Sequence, residues 1–250
     1  MYKSALLISK KNIGRGIITL ISLIILFTNI LTATAQEKKN LFYEDFNDLD
    51  NWRPISFPKI KKNTIYTIVK EGNKNYLRAE SNDSASALVN IKEFNVYEYP
   101  KVKWKWKISN VYKNGNETEK SGDDYPVRIY ILFKFDYENA SVLKRIKYSI
   151  AKRIYGEYPP HTTLNYIWAN RKHTINILTS PYTNESKMII LEAGPEKSGM
   201  WLEEEVNIIE DYRRAFSSDP PATASLAIMN DSDNTGESSV SFIEYIEVYK

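Results

Sequence analysis

Asp231, Asp233, Thr235 and Gly236, in the stretch AIMNDSDNTGE, stand at positions 1, 3, 5 and 6 of a Ca²⁺-loop pattern. Short oxygen side chains turn inward at those positions, and glycine allows the sharp bend. The pattern stops there: position 12 is Phe242 instead of a bidentate Glu, and the segment around it alternates like a strand. Two readings stay open. Asp231 and Asp233 could ligate a structural Ca²⁺, or Asp231, Asp233 and Asn234 could bond their own backbone in an Asx-type turn before the last strand. No other cofactor is expected. His161 and His173 lack a zinc-binding pattern, and there is no Gly-rich phosphate loop, nucleophile elbow or cysteine. A glycosidase needs two carboxylates across a bond. Asp123, Asp124 and Glu192 are candidates, with turn and strand-edge roles as the plainer alternative.

A second set of candidates lies on strand faces. In Val127 to Phe135 the odd positions are all apolar, which sends Arg128 and Tyr130 to the opposite face. In the next segment Leu164, Tyr166, Trp168 and Asn170 share one face. Arg128, Tyr130, Tyr166, Trp168 and Asn170, with Asp124 nearby in sequence, are therefore the expected ligand-binding residues: ring faces stack on sugars and planar donors bind hydroxyls or carboxylates. The competing reading places Tyr130 and Trp168 in the core or under a helix.

The chain begins with Lys3, Lys10, Lys11 and Arg15, then an uncharged Ile- and Leu-rich run that ends in Ala33-Thr34-Ala35. That is the layout of a secretory signal over residues 1–35, with an uncleaved membrane anchor as the alternative. The expected location is periplasmic or extracellular. The leader holds four of the 34 basic residues and none of the 31 acids, so 30 minus 31 leaves −1 for the remaining 215 residues. Nothing in that balance points to nucleic acid, and no stable membrane insertion is expected after cleavage. With zero cysteines an exported fold must rest on its core.

Residues 36–250 are read as one domain. Lys101 to Ile108 alternates without a fault, with Val102, Trp104, Trp106 and Ile108 on one face and four lysines on the other. The lysines are read as solubilising and edge-protecting residues, with an acidic polysaccharide as their alternative partner. Further strands are expected over 41–46, 64–69, 76–80, 85–91, 127–135, 164–170, 188–193, 224–229 and 240–249. They imply an all-β fold: a two-sheet antiparallel β-sandwich, jelly-roll-like, with one or two surface helices. One helix is expected over Val142 to Tyr155, laid on the sandwich through Leu143, Ile146, Ile150 and Ile154 with its basic residues in solvent. A membrane-surface or polyanion-binding helix is the other reading of that segment. A second helix is expected from Glu203 to Phe216.

The segments FYEDFNDLDNW, SGDDYPVRIYILF, LNYIWAN, EDYRRAF and AIMNDSDNTGE occur in this order from about Phe42 to Val248. Together they resemble an exported bacterial family catalogued as domain of unknown function 3047. The resemblance implies no activity. It marks Asp123, Asp124, Arg128, Trp168, Asp211, Arg213, Asp231, Asp233 and Asn234 as residues within family motifs.

The expected function is binding of a glycan or cell-envelope polysaccharide. An alternative is a polysaccharide-cleaving enzyme, lyase or hydrolase, in which Arg128 neutralises a uronate while Tyr166 or His161 serves as base and acid. A second alternative is a structural or partner-binding envelope protein.

Overall fold

Period-two alternation is converted into structure most directly at Lys101–Ile108, where every even residue is buried and every lysine is half-exposed. The computed structural model describes residues 39–138, 140–155 and 158–250, and the expected leader lies outside them. Its strands are β1 (Asn40–Glu44), β2 (Trp52–Ser56), β3 (Ile65–Glu71), β4 (Lys74–Asn82), β5 (Ala85–Asn90), β6 (Phe94–Asn95), β7 (Lys101–Ile108), β8 (Tyr125–Phe133), β9 (Thr162–Ala169), β10 (Ile177–Thr179), β11 (Ser186–Ala193), β12 (Leu202–Asn207), β13 (Thr223–Asp231) and β14 (Ser238–Tyr249). The helices are α1 (Val142–Tyr155) and α2 (Ile208–Phe216).

The first sheet runs β12-β7-β14-β4-β3, with β1 alongside β14. The second runs β10-β11-β9-β8-β13-β5-β2, with β6 alongside β13. Together they form a β-sandwich, as expected, and among the described residues the one departure from antiparallel pairing is β11, which runs parallel to β9. The inner faces meet in a single apolar layer contributed by both sheets, including Leu77, Trp104, Trp106, Ile129, Ile131, Tyr166, Trp168, Ile228 and Ile246. Within it Trp104 packs on Trp106 and Tyr166 at 5.4 Å, and Trp106 meets Trp168 at 6.1 Å, in tilted and edge-on contacts that aromatic quadrupoles favour.

The expected helix from Glu203 to Phe216 is half strand. Leu202, Glu204 and Val206 alternate with Glu203 and Glu205, and the segment pairs with β7 so that Glu203 opposes Lys105 and Glu205 opposes Lys103. The glutamates answer lysines across a ladder instead of a helix dipole. The helix starts only at Ile208, where the Asn207 side chain accepts from the amides of Ile209 (3.1 Å) and Glu210 (3.3 Å). The β7 lysines therefore do not guard an edge. Lys103 pairs with Glu203 at 2.6 Å, Lys105 with Glu244 at 2.8 Å, and Lys107 lies 4.7 Å from the rings of both Trp201 and Phe242.

α1 occupies the expected residues, but the two residues of its expected aliphatic stripe whose side chains are described do not pack on the sheet. Leu143 and Ile146 are exposed, while Tyr148 is buried and stacks on Phe135 at 3.6 Å.

Candidate functional site

The outer face of the second sheet, away from the core, carries the candidate site. Residues in register form straight rows across its strands. Tyr130 on β8 opposes Ala227 on β13, Ala227 opposes Val89 on β5, and Val89 opposes Arg53 on β2. Three strand spacings of about 4.8 Å set Tyr130 and Arg53 about 14 Å apart, with two small aliphatic side chains between them. Ser225 and Leu132 flank this row on the same face. The segment before α1 supplies Phe135 and the segment after it supplies Tyr158, Pro159 and Pro160, which stand as one wall. The opposite end is formed by Ile55, Phe57, Ala87 and Met229, and the exposed Glu93 and Lys134 lie on the rim. The result is a cleft of about 660 Å³, within the range of small-molecule and oligomer sites. Its side chains are mostly aromatic and aliphatic. Lys134 and Glu93 pair at 2.7 Å on its exposed edge. Burial raises the Tyr130 hydroxyl pKa against the pull of Arg128, so Tyr130 stays a neutral phenol at physiological pH.

One row further along the same face the character changes. Arg128, Met229, Ala87 and Ile55 form the next row. Beyond it, the register passes from Met229 against Arg128 to Asp231 against Tyr125. That step covers two residues of β13 but three of β8, so a bulge in β8 brings Tyr125 onto the face of Arg128. The buried Arg128 guanidinium lies 4.3 Å from the Tyr125 ring and 5.5 Å from the Tyr130 ring. It bonds the Asp231 carboxylate and has Asp123 3.8 Å away. The Tyr125 hydroxyl donates to Asp123 at 2.9 Å. Burial lifts the carboxyl pKa values of Asp123 and Asp231, and the guanidinium beside them works in the opposite direction.

Asp124 closes the neighbouring loop. One carboxylate oxygen accepts from the Asn234 amide (3.2 Å) and side chain (3.3 Å), and the other accepts from the Thr235 amide at 2.6 Å. Gly236 adopts φ 68° and donates its amide to the Ser232 carbonyl at 2.9 Å, a left-handed turn end that glycine takes without strain. The loop is thus a structured turn, in which the expected bonding to its own backbone is kept by Asp233, while Asp124, which precedes the neighbouring strand, receives the Asn234 and Thr235 amides and Asp231 is turned to Arg128. Asp124, Asp231 and Asp233 do offer oxygens within 4.8 Å of one another. The donor set fits Ca²⁺ poorly, because both oxygens of Asp124 already accept amides and Asp231 faces a guanidinium. A hard cation needs six to eight oxygens without a competing charge.

Of the residues expected to bind ligand, Tyr130 alone lines the cleft, and Arg128 lies one row behind it. Tyr166 and Trp168 point the other way, into the core, each fully buried. Tyr166 donates to Asp211 at 2.9 Å, which also accepts from Arg214 at 3.0 Å, and Trp168 donates to the Gly194 carbonyl at 3.1 Å. The open-face assignment of Leu164, Tyr166, Trp168 and Asn170 is thereby corrected: these even residues are the core side of β9 and its end. Asn170 is a buried clamp. It accepts from the Tyr112 amide at 2.8 Å and donates to Glu117 and to the Asp124 carbonyl at 3.0 and 2.7 Å. His161 sits on the face of β9 opposite to Tyr166, in a recess of about 280 Å³ beside Tyr148 and Glu185. Burial, then Lys144, lowers its pKa. Tyr166 and His161 therefore do not converge as a base and an acid.

Sequence reasoning passed over Arg53, Phe57 and Tyr158. The alternation Arg53, Ile55, Phe57 was a usable signal, masked by Pro54, which an edge strand such as β2 tolerates.

In FYEDFNDLDNW, Glu44 accepts from the Phe46 amide at 2.9 Å and from the Trp52 ring nitrogen at 2.8 Å. The family model described as "Protein of unknown function (DUF3047)" matches residues 50–247. The chain belongs to this family. No curated protein matches it. Among solved structures it is similar to endoglucanase 3 of Trichoderma harzianum from family GH12, at 8% identity over 87% of this chain and 100% of that one, with a TM-score of 0.38. It is also similar to the xyloglucanase domain of NopAA from Sinorhizobium fredii in complex with cellobiose (9% identity, 80% of this chain, 93% of that one, TM-score 0.40). A third is winged bean acidic lectin complexed with methyl-alpha-D-galactose (8% identity, 86% and 99%, TM-score 0.37). Likenesses at these scores carry no argument about what this family member binds.

Proposed function

We propose that this protein is an exported glycan-binding module whose ligand, a glycan or cell-envelope polysaccharide, lies in the outer-face cleft of the second sheet. The observation that carries the reading is the row Tyr130-Ala227-Val89-Arg53: a flat, small-residue floor between an aromatic ring and a guanidinium. The C–H faces of a sugar ring pack on such a floor and on the rings of Tyr130 and Tyr158, while hydroxyls reach the rim donors. The binding reading is favoured over cleavage because the described cleft-lining residues offer a single carboxylate, Glu93, which pairs with Lys134, whereas glycoside hydrolysis uses two. Export rests on the leader pattern of residues 1–35. Among the described residues no helix is long and apolar enough to cross a membrane.

The test is a screen of bacterial and host polysaccharides on a glycan array, followed by calorimetric titration of the best ligand. Tyr130→Ala and Tyr158→Ala are each expected to weaken binding about tenfold, the loss of one stacking contact in a partly desolvated site. No binding of any glycan at micromolar protein, or binding that both variants leave unchanged, rejects the proposal.

A further inference from the structure

Helix α1 presents the largest set of exposed aliphatic side chains in one described element. Val142, Leu143 and Ile146 are 71%, 81% and 53% exposed. The helix is tied to the domain from its other side, where Tyr148 is buried against Phe135. At about 100° per residue, Tyr148 lies about 200° round from Ile146, so the packed side and the aliphatic side are opposed. The helix VLKRIKYSIAKRIY carries five basic residues and no acid. Lys144, Lys152 and Arg153 are exposed, in a domain whose overall charge is near neutral. Two cation–ring contacts bracket the helix: Arg145 lies 5.4 Å from the ring of Tyr137 and Lys152 lies 4.4 Å from that of Tyr158. The nearest preceding acids, Asp136 and Glu138, fall before the helix begins.

From this geometry we infer that α1 is a peripheral membrane-docking helix for an anionic lipid surface. Exposed aliphatic side chains on a basic helix without acids, with Arg153 on the same side and tyrosines at both ends, fit a headgroup boundary, into which such a helix sinks its apolar side while its cations engage anionic headgroups. Neither a purely polyanionic partner nor a neutral apolar one matches both features. The helix lies on the surface and does not span it. Because Phe135 and Tyr158–Pro160 bracket α1 and also form a cleft wall, docking holds the cleft beside the membrane.

Residues 39–250 form one compact unit with its own core, so this fragment, which lacks the apolar leader, is the protein to test. It is sedimented with vesicles of phosphatidylcholine alone and of equal parts phosphatidylcholine and phosphatidylglycerol. The expected result is binding to the anionic vesicles at least about tenfold stronger than to the neutral ones, weakening as salt rises. The variant Leu143→Glu/Ile146→Glu, at exposed positions, is expected to keep its melting temperature and lose about tenfold in binding. Arg153→Glu, at a position about 20° round from Ile146, is expected to lose about fivefold. Equal binding to both vesicle types, or wild-type binding by the aliphatic variant, overturns the inference. So does a dimer in light scattering that Leu143→Glu/Ile146→Glu dissociates, which would give the exposed stripe to a second copy. Binding to an acidic polysaccharide that depends on Arg153 but not on Leu143 and Ile146 also overturns it.

Discussion

Two adjacent rows of the same sheet face, separated by one step of alternation, behave oppositely. The row from Tyr130 to Arg53 is floored by Ala227 and Val89, and the adjoining segments stand beside it as a wall, so it stays open. The row from Arg128 to Ile55 meets the cleft only through Ile55, Ala87 and Met229, against which Phe57 and Ile60 pack, and it is closed at its Arg128 end, where the Tyr182 hydroxyl bridges the Lys120 carbonyl (3.2 Å) and the Asn234 side chain (3.1 Å) above the acidic turn. The charged groups of the SGDDYPVR and NDSDN segments, Asp123, Asp124, Arg128 and Asp231, sit at the closed end and are partnered within the protein. Apart from Tyr130, the open side is built from residues that suggest no chemistry. Charged side chains near a site are evidence of a site only once their partners are counted, because a buried charge must first be neutralised by its own fold.

The two rows should respond differently to mutation. The largest effect belongs to the closed row. Asp231→Ala leaves the Arg128 guanidinium buried beside a more distant Asp123, and removal of one member of a buried pair costs about 3–5 kcal/mol. Chemical denaturation should show that loss, and a loss below about 1 kcal/mol would mean that the row is hydrated and open. Gly115→Ala comes next. A Cβ there would lie 2.3 Å from the Asn170 side chain, which already clamps Glu117 and Asp124, so about 1–3 kcal/mol of stability should be lost. Cleft substitutions such as Tyr130→Ala are expected to cost less stability than either and to act on ligand affinity.

A smaller effect concerns pH. Burial, reinforced by the charge of Glu192, pushes the Glu204 carboxyl up from 4.5 to about 7. The folded state thus holds this proton to higher pH than the unfolded chain does. Its contribution to stability falls as pH rises from 4.5 towards 7 and is lowest above that. Solvent screens the partly exposed carboxylate, so Glu204→Gln is expected to raise the melting temperature by only about 2–4 °C at about pH 8 and by less at about pH 5. A larger gain at the lower pH would reverse the assignment. The smallest effect is that of Ca²⁺: with Asp124 and Asp231 engaged internally, millimolar Ca²⁺ should leave the melting temperature unchanged, and a rise that Asp233→Asn abolishes would restore the metal reading.

How legible these features were depended on whether local pattern or distant partners decided them. Lys101 to Ile108 declared a half-buried strand, and β8 declared its core face through Val127, Ile129, Ile131 and Phe133. Both rest on period two, which needs no knowledge of neighbours. For β9 the same parity could not tell inside from outside, since Leu164, Tyr166 and Trp168 alternate with Asn165, Ile167 and Ala169, and both sides are buried. Tyr166 and Trp168 therefore passed for a binding face. In β12 the Glu203-Glu204-Glu205 run hid a strand whose sense comes from lysines about a hundred residues earlier. The Asp231–Gly236 turn was legible as a turn, yet its organiser, Asp124, and the partner of Asp231, Arg128, come from a strand paired through a bulge that no local signal marks.

Whether the open row, and not the charged one, receives ligand can be decided by filling the cleft. Ser225 lies on its floor beside Leu132 and is partly exposed, so Ser225→Trp places a bulky ring where a sugar is expected to lie. Calorimetric titration of the best array glycan into wild type and Ser225→Trp, at matched melting temperatures, should show an affinity loss of at least about tenfold. Equal affinity for the two proteins would contradict ligand binding in the open row.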